Sequence, residues 1–206
     1  MSLPNRKISW LIVISTVLLF NLSICACKKA TPETLSEILD RAANVASFKY
    51  DCSVTWRDLS GTSRGEIVAK VWAKNNKMRV QLTTLERTVE EYLIDIDAHS
   101  MYIWYPPENV PAKIENAWEI PNFTSAKLWT ISIAIGNPKI VGTETIDGKV
   151  CLVVEYFPGE VTGKAWLWKN YPFLVRTELV SAEGKTTIEF KNIEFGDIAD
   201  SMFEMP

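Results

Sequence analysis

The chain has 206 residues, 47% of them hydrophobic and 23% charged, which suits one packed domain and excludes wholesale disorder. Its formal net charge is −3, and loss of the residues before Cys27 would lower the 22 basic residues to 20 against 25 acidic ones. So acidic a chain lacks the basic surface that displaces counterions from nucleic acid, and that class of partner is excluded.

Arg6 and Lys7 precede an uncharged, largely apolar run from Ile8 to Ile24. The run suits a signal peptide better than a spanning helix, which needs ~20 predominantly apolar residues. It ends in Ile24-Cys25-Ala26-Cys27. That tetrapeptide resembles the bacterial lipobox: an aliphatic residue, two that are usually small, then the modified cysteine. Cys25 is an unusual occupant of the middle position. The expected organisation is a lipoprotein signal peptide at 1–26, a lipidated Cys27 and short tether at 27–33, and one folded domain over 34–206. Plain cleavage at a small-x-small site and an uncleaved anchor are the alternatives. A lipidated Cys27 would carry two or three palmitate-type chains, each buried methylene contributing ~0.8 kcal/mol. Membrane lipid would then hold the protein at the outer face of the cytoplasmic membrane or at the outer membrane.

Thr31-Pro32-Glu33 has the residue types of a helix start. Leu35, Ile38, Leu39 and Ala42 follow at helical spacing and predict an amphipathic helix ending near Ser47. The period then changes to two: Phe48, Tyr50, Cys52, Val54 and Trp56 alternate with polar residues, as in a half-buried strand. Further strands are predicted at 65–73, 77–82, 88–96 and 100–105, with Asn75-Asn76 as a tight turn. Pro106-Pro107 and Pro111 predict a long loop over 106–122, and 124–135 a second, mostly apolar helix. Strands at 139–146, 149–156, 163–169, 173–181 and 185–195 follow, with Asp147-Gly148 and Glu183-Gly184 as turns.

This order resembles the LolA-like group of envelope lipoprotein carriers. The stretch Ile140 to Tyr156, centred on Asp147-Gly148, is similar to that group's strand–turn–strand unit. Ala165-Trp-Leu-Trp-Lys-Asn-Tyr-Pro172 and Asn192 to Pro206 are similar to later parts of its pattern. The resemblance covers most of 31–206 and its motifs are structural. It implies a mainly β (α+β) fold: a half-open antiparallel barrel of about ten strands, with an N-terminal amphipathic helix and a mid-chain helical lid. It also implies an apolar ligand, lipid or lipoprotein acyl chains, on the concave face, serving lipoprotein sorting or lipid transport. An envelope stress sensor or protein-interaction module on the same shell, without lipid, is the alternative. An anchor on Cys27 argues against a long-range shuttle.

Of eight tryptophans, seven follow Cys27. Aromatic rings suit acyl chains because each covers ~150–250 Å² with few rotatable bonds. The expected cavity set is Tyr50, Trp56, Trp72, Trp104, Trp129 and Trp166, with core packing as the competing role for each. Cys52 and Cys151 form a disulfide or remain two buried thiols; spacing does not decide. No cofactor, metal site or enzyme is expected. His99, between Asp97 and Ser100, lies in a turn where neighbours cannot align as a triad. Glu90-Glu91 and the Glu115/Glu119 pair read as solvated charge.

Overall fold

The computed structural model describes residues 34–115, 126–171 and 173–206. The alternation that begins at Ser47 resolves into two meanders. The first holds β1 (Ser47–Arg57), β2 (Ser63–Lys74), β3 (Lys77–Thr83), β4 (Val89–Asp95), β5 (Ser100–Trp104) and β6 (Ala112–Glu115). The second holds β7 (Lys139–Ile146), β8 (Lys149–Tyr156), β9 (Thr162–Trp168), β10 (Phe173–Ser181) and β11 (Gly184–Phe195). They join where β11 pairs with β1, from Phe48↔Phe195 to Arg57↔Lys185. One antiparallel sheet results, in the order β6-β5-β4-β3-β2-β1-β11-β10-β9-β8-β7. It does not close, since β6 and β7 are its edges, so the fold is a half-open barrel. β6 falls inside the span where prolines predict a loop. It starts directly after Pro111 and, among the described residues, pairs only with β5, an edge position that tolerates a neighbouring proline.

Turn chemistry sets the register. Asp147 and Gly148 have φ of 48° and 74°, the two positive values a type I′ hairpin needs. Asn75, at φ 53°, opens the β2–β3 turn.

Two helices cover one face. In α1 (Leu35–Ala43), Ile38, Leu39 and Ala42 are buried and Asp40 and Arg41 point outward. The Asn44 amide caps its last turn by donating to the Asp40 carbonyl at 2.7 Å. α2 (Ala126–Ile135) buries Trp129 and Ile133 and exposes Ile131 and Ile135. No described helix is long and apolar enough to cross a membrane.

The core lies between this helical cover and the inner face of the sheet. Phe48, Tyr50, Cys52 and Val54 of β1 meet Phe190 and Ile188 of β11, Val71 of β2 and Val80 of β3 there. A short 3₁₀ helix (Asp200–Phe203) packs on the outer face instead, bringing Phe203 against Trp104 and Leu93.

Candidate ligand-binding face

The inner face is apolar across β1 to β4 and β8 to β11, and its centre is aromatic. The Tyr50 ring lies 5.3 Å from Phe190 and 5.4 Å from Phe173, and Phe48 lies 5.3 Å from Phe173. These edge-on and tilted geometries suit the quadrupoles of the rings. Burial pushes the Tyr50 hydroxyl well above its ordinary pKa, with the Cys52 thiol adding to the effect. Burial likewise pushes Cys52 up to about 12.

Polar groups on this face are mostly paired internally. The Thr177 hydroxyl donates to the Lys164 carbonyl at 3.2 Å, so the Tyr156 hydroxyl, 2.9 Å away, is the donor to Thr177. The Tyr156 ring rests on Gly163, where a Cβ would stand 2.5 Å from the ring. Trp129 differs. Its indole N–H is buried without a hydrogen-bond partner among the described residues. Such an orphan costs ~1–3 kcal/mol and calls for an explanation.

In this closed arrangement α1 and α2 fill the hollow with Ile38, Leu39, Trp129 and Ile133. A crevice of about 270 Å³ opens beside the C-terminal end of α1, lined by Val45, Phe48, Ala73, Met78 and Ile96 among others. That is just below the ~300–1,000 Å³ of typical ligand pockets, so a long chain would need the helices to shift. A larger cavity of about 660 Å³ is lined by Lys74, Asn76, Lys77, Asp95, Asp97 and Asp200 among others, a wall unsuited to acyl chains.

The structure divides the expected cavity set. Tyr50, Trp56 and Trp129 belong to the inner cluster. Trp72, Trp104 and Trp166 lie on the outer face. Trp104 stacks beneath the Arg79 guanidinium at 5.3 Å; Arg79 Nε donates to Glu91 at 2.9 Å and its Nη1 to the Met202 carbonyl at 3.2 Å. Trp166 lies between Lys164 and Arg176, 5.0 and 5.1 Å from its ring, and donates to Glu144 at 2.8 Å. That hydrogen bond, helped by Lys164, holds the Glu144 carboxyl below its ordinary pKa. Strand parity carried the signal. Trp72 shares its side of β2 with Glu66 and Lys70, and Trp166 shares its side of β9 with Lys164. The inner-face aromatics Tyr156, Phe173 and Phe190 were missed, although each shares parity with apolar neighbours.

The disulfide alternative is corrected. Both thiols are free and buried. Cys52 sits on the inner face of β1 and Cys151 in the outer cluster of β8. Four strand spacings of ~4.8 Å separate β1 from β8 along the sheet, far beyond the ~7 Å Cα limit of a disulfide.

Of the carboxylates read as solvated charge, Glu91 is instead buried, bound to Arg79 and Gln81, and Glu90 accepts from Tyr92. His99 occupies the β4–β5 turn at φ 46°. Glu119, Trp118 and the helix-start residues 31–33 lie outside the described residues. Among the described residues no three His, Cys, Asp or Glu side chains are grouped to hold a metal ion.

No protein-family model matches the sequence, and no curated protein does. Solved structures do match the fold. MucB in complex with MucA(peri) is 14% identical, covers 83% of this chain and 59% of its own length, and superposes with a TM-score of 0.53. LprF from Mycobacterium bovis is 17% identical over 82% of this chain and 94% of its own, at 0.50. The lipoprotein LppX from Mycobacterium tuberculosis is 12% identical over 81% and 99%, at 0.51. At such identities the likeness is one of architecture. The chain has the LolA-like fold: an open antiparallel half-barrel with two helices over its inner face.

Proposed function

We propose that this chain is an envelope protein, anchored through acyl chains on Cys27, that binds lipid or lipoprotein acyl chains beneath α1 and α2 in lipoprotein sorting or lipid transport, without catalysis. The supporting observation is the continuous apolar inner face under a cover of two helices of nine and ten residues. Helices this short are marginal by themselves, so the cover is the part of the fold most readily displaced. An acyl chain would replace Ile38, Leu39, Trp129 and Ile133 against the sheet. Apolar contact is non-directional, so one apolar surface substitutes for another at low cost. The orphan N–H of Trp129 is a donor that a ligand ester carbonyl would satisfy.

The test is native mass spectrometry of the chain from Lys28 onward after incubation with phosphatidylethanolamine vesicles. The expected result is a species heavier by one lipid. Protein that stays lipid-free ends this reading. Cys27→Ser should also abolish incorporation of labelled palmitate into the full chain, and undiminished labelling would remove the anchor from this reading.

The likeness to MucB, solved with MucA(peri), favours a second reading: a sensor or interaction module in which the same shell meets a protein partner. It predicts a lipid-free chain that purifies in fixed ratio with another envelope protein.

A further inference from the structure

We propose that one end of the half-barrel is a bilayer-contacting rim, whose loop tips insert apolar side chains into the headgroup region. This concerns a different surface from the ligand face and stands whether or not that face takes lipid.

Antiparallel topology sends alternate connections to the same end. β1, β3, β5, β8 and β10 finish where β2, β4, β6, β7, β9 and β11 start. The loops 58–62, 84–88, 105–111, 136–138, 157–161 and 182–183 therefore share one end. Five of these six connections present a large apolar side chain, either within the loop or, for Ile135, on the residue just before it. They are Leu59, Leu85, Tyr105, Val110, Ile135 and Phe157, between 48% and 78% exposed. The Phe157 amide donates to the Gly136 carbonyl at 2.7 Å, which ties Phe157 to the end of α2 and so beside Ile135.

The opposite end differs. Its described connections include Asn75-Asn76, 96–99, Asp147-Gly148 and 169–171, and the large exposed apolar residue among them is Tyr171. That ring has a use inside the chain, since it stacks on Phe195 at 5.5 Å and 12° and lies 4.5 Å from Trp168.

The spread of the rim decides what it meets. Its side chains come from loops distributed along an eleven-stranded sheet at ~4.8 Å per strand. A partner that covers all of them must be extended and indifferent to register, and a lipid surface is both. The loops carry Asp58, Glu86, Glu108, Glu160 and Glu183 against Arg87, and the strand ends beside them add Arg57, Arg64, Lys139 and Lys185, so the charges at this end are close to balanced. With no marked positive excess there, the contact rests on apolar insertion into zwitterionic lipid and not on attraction to anionic headgroups. It would also set the C-terminal end of α2 at the bilayer.

Residues Leu35–Pro206 form one compact unit around their own core, so the chain from Lys28 onward serves for the test without its anchor. Flotation with phosphatidylcholine vesicles should carry the protein upward and persist at high salt. The triple variant Leu59→Ser/Val110→Ser/Phe157→Ser should lower the partition coefficient about tenfold or more, given the apolar area withdrawn, with its thermal midpoint little changed. Tyr171→Ser, at the other end, should float as the parent does. Failure of the parent to float, flotation only with phosphatidylglycerol, or equal flotation of parent and triple variant would each overturn the proposal.

Discussion

The inner and outer faces of the sheet both bury aromatic rings, but by different means. On the inner face Tyr50, Phe173 and Phe190 meet through ring edges, and α1 and α2 complete the packing. On the outer face Trp104 and Trp166 are held by cations, and each cation is tied to an acid: Arg79 to Glu91, Lys164 to Glu144 and Arg176 to Glu178. Lys74 fastens the C-terminal segment there through Asp197 and Asp200, at 2.8 and 2.9 Å. Directional partners fix the outer face in one arrangement. The inner face is held by contacts that any apolar surface can supply. A ligand site that opens and closes belongs on the second kind of face.

The sharpest way to break this contrast is to cut each face once. Phe190→Ala should cost about 3–5 kcal/mol in urea unfolding, because a large ring leaves a cavity among fixed neighbours. Trp166→Phe keeps a ring between Lys164 and Arg176 but loses the hydrogen bond to Glu144 and part of the buried ring area. It should cost less than Phe190→Ala, and the part due to the hydrogen bond should shrink as salt screens the half-exposed charges. Equal losses would mean that the outer ladder carries as much of the fold as the aromatic centre.

Alkaline titration comes next. Burial raises Cys52 to about 12 and Cys151 to about 11, against ~8.5 for a free thiol. A raised pKa favours the neutral thiol in the folded state. The stability linked to Cys52 is therefore complete below pH ~8.5 and is lost as pH climbs towards 12, at no more than ~1.4 kcal/mol per pH unit. Urea midpoints should fall over that window, and Cys52→Ala should flatten the fall. Thiol reagent should find no reactive cysteine among these in the native domain and both after unfolding. A persistent disulfide between them would contradict the placement of one thiol on each face.

How far the sequence displayed all this depends on the strand. In β1 polar residues fill one parity, so strand parity alone puts Tyr50 and Trp56 on the same side as Phe48, Cys52 and Val54, where the structure has them. β2 and β9 are harder: β9 is covered on both faces, and the outer face of β2, exposed along most of its length, is covered only near its end at Trp72 and Lys74. Alternation then weakens, and Trp72 and Trp166 look as apolar as Val71 and Leu167. What separates them is the company of lysine and glutamate on their parity, since the stems of those side chains cover the rings while their charges reach water. The 3₁₀ helix at Asp200–Phe203 was not legible, being four residues fixed by tertiary contacts with Trp104 and Arg79. The loop-tip residues of the rim gave no periodic signal. Their common position follows from strand direction, which appears only once the order of the sheet is known.

The smallest expected effect tests the inner face most directly. Trp129→Phe removes the orphan N–H and keeps most of the ring. Relief of an unsatisfied donor, worth ~1–3 kcal/mol, works against the area lost with the smaller ring, so the ligand-free variant should match or slightly exceed the parent in stability. Most buried Trp→Phe changes lower it. With ligand the sign should reverse. Loaded from vesicles, the parent should prefer diacyl phosphatidylcholine over its dialkyl ether analogue, which has the same chains and headgroup without the ester carbonyls. A preference of ~3–10-fold is what one hydrogen bond supports. In Trp129→Phe that ratio, read by native mass spectrometry, should fall towards one while ether-lipid loading persists. A ratio near one already in the parent would leave the indole N–H as a tolerated defect of packing and the ligand held by chain contacts alone.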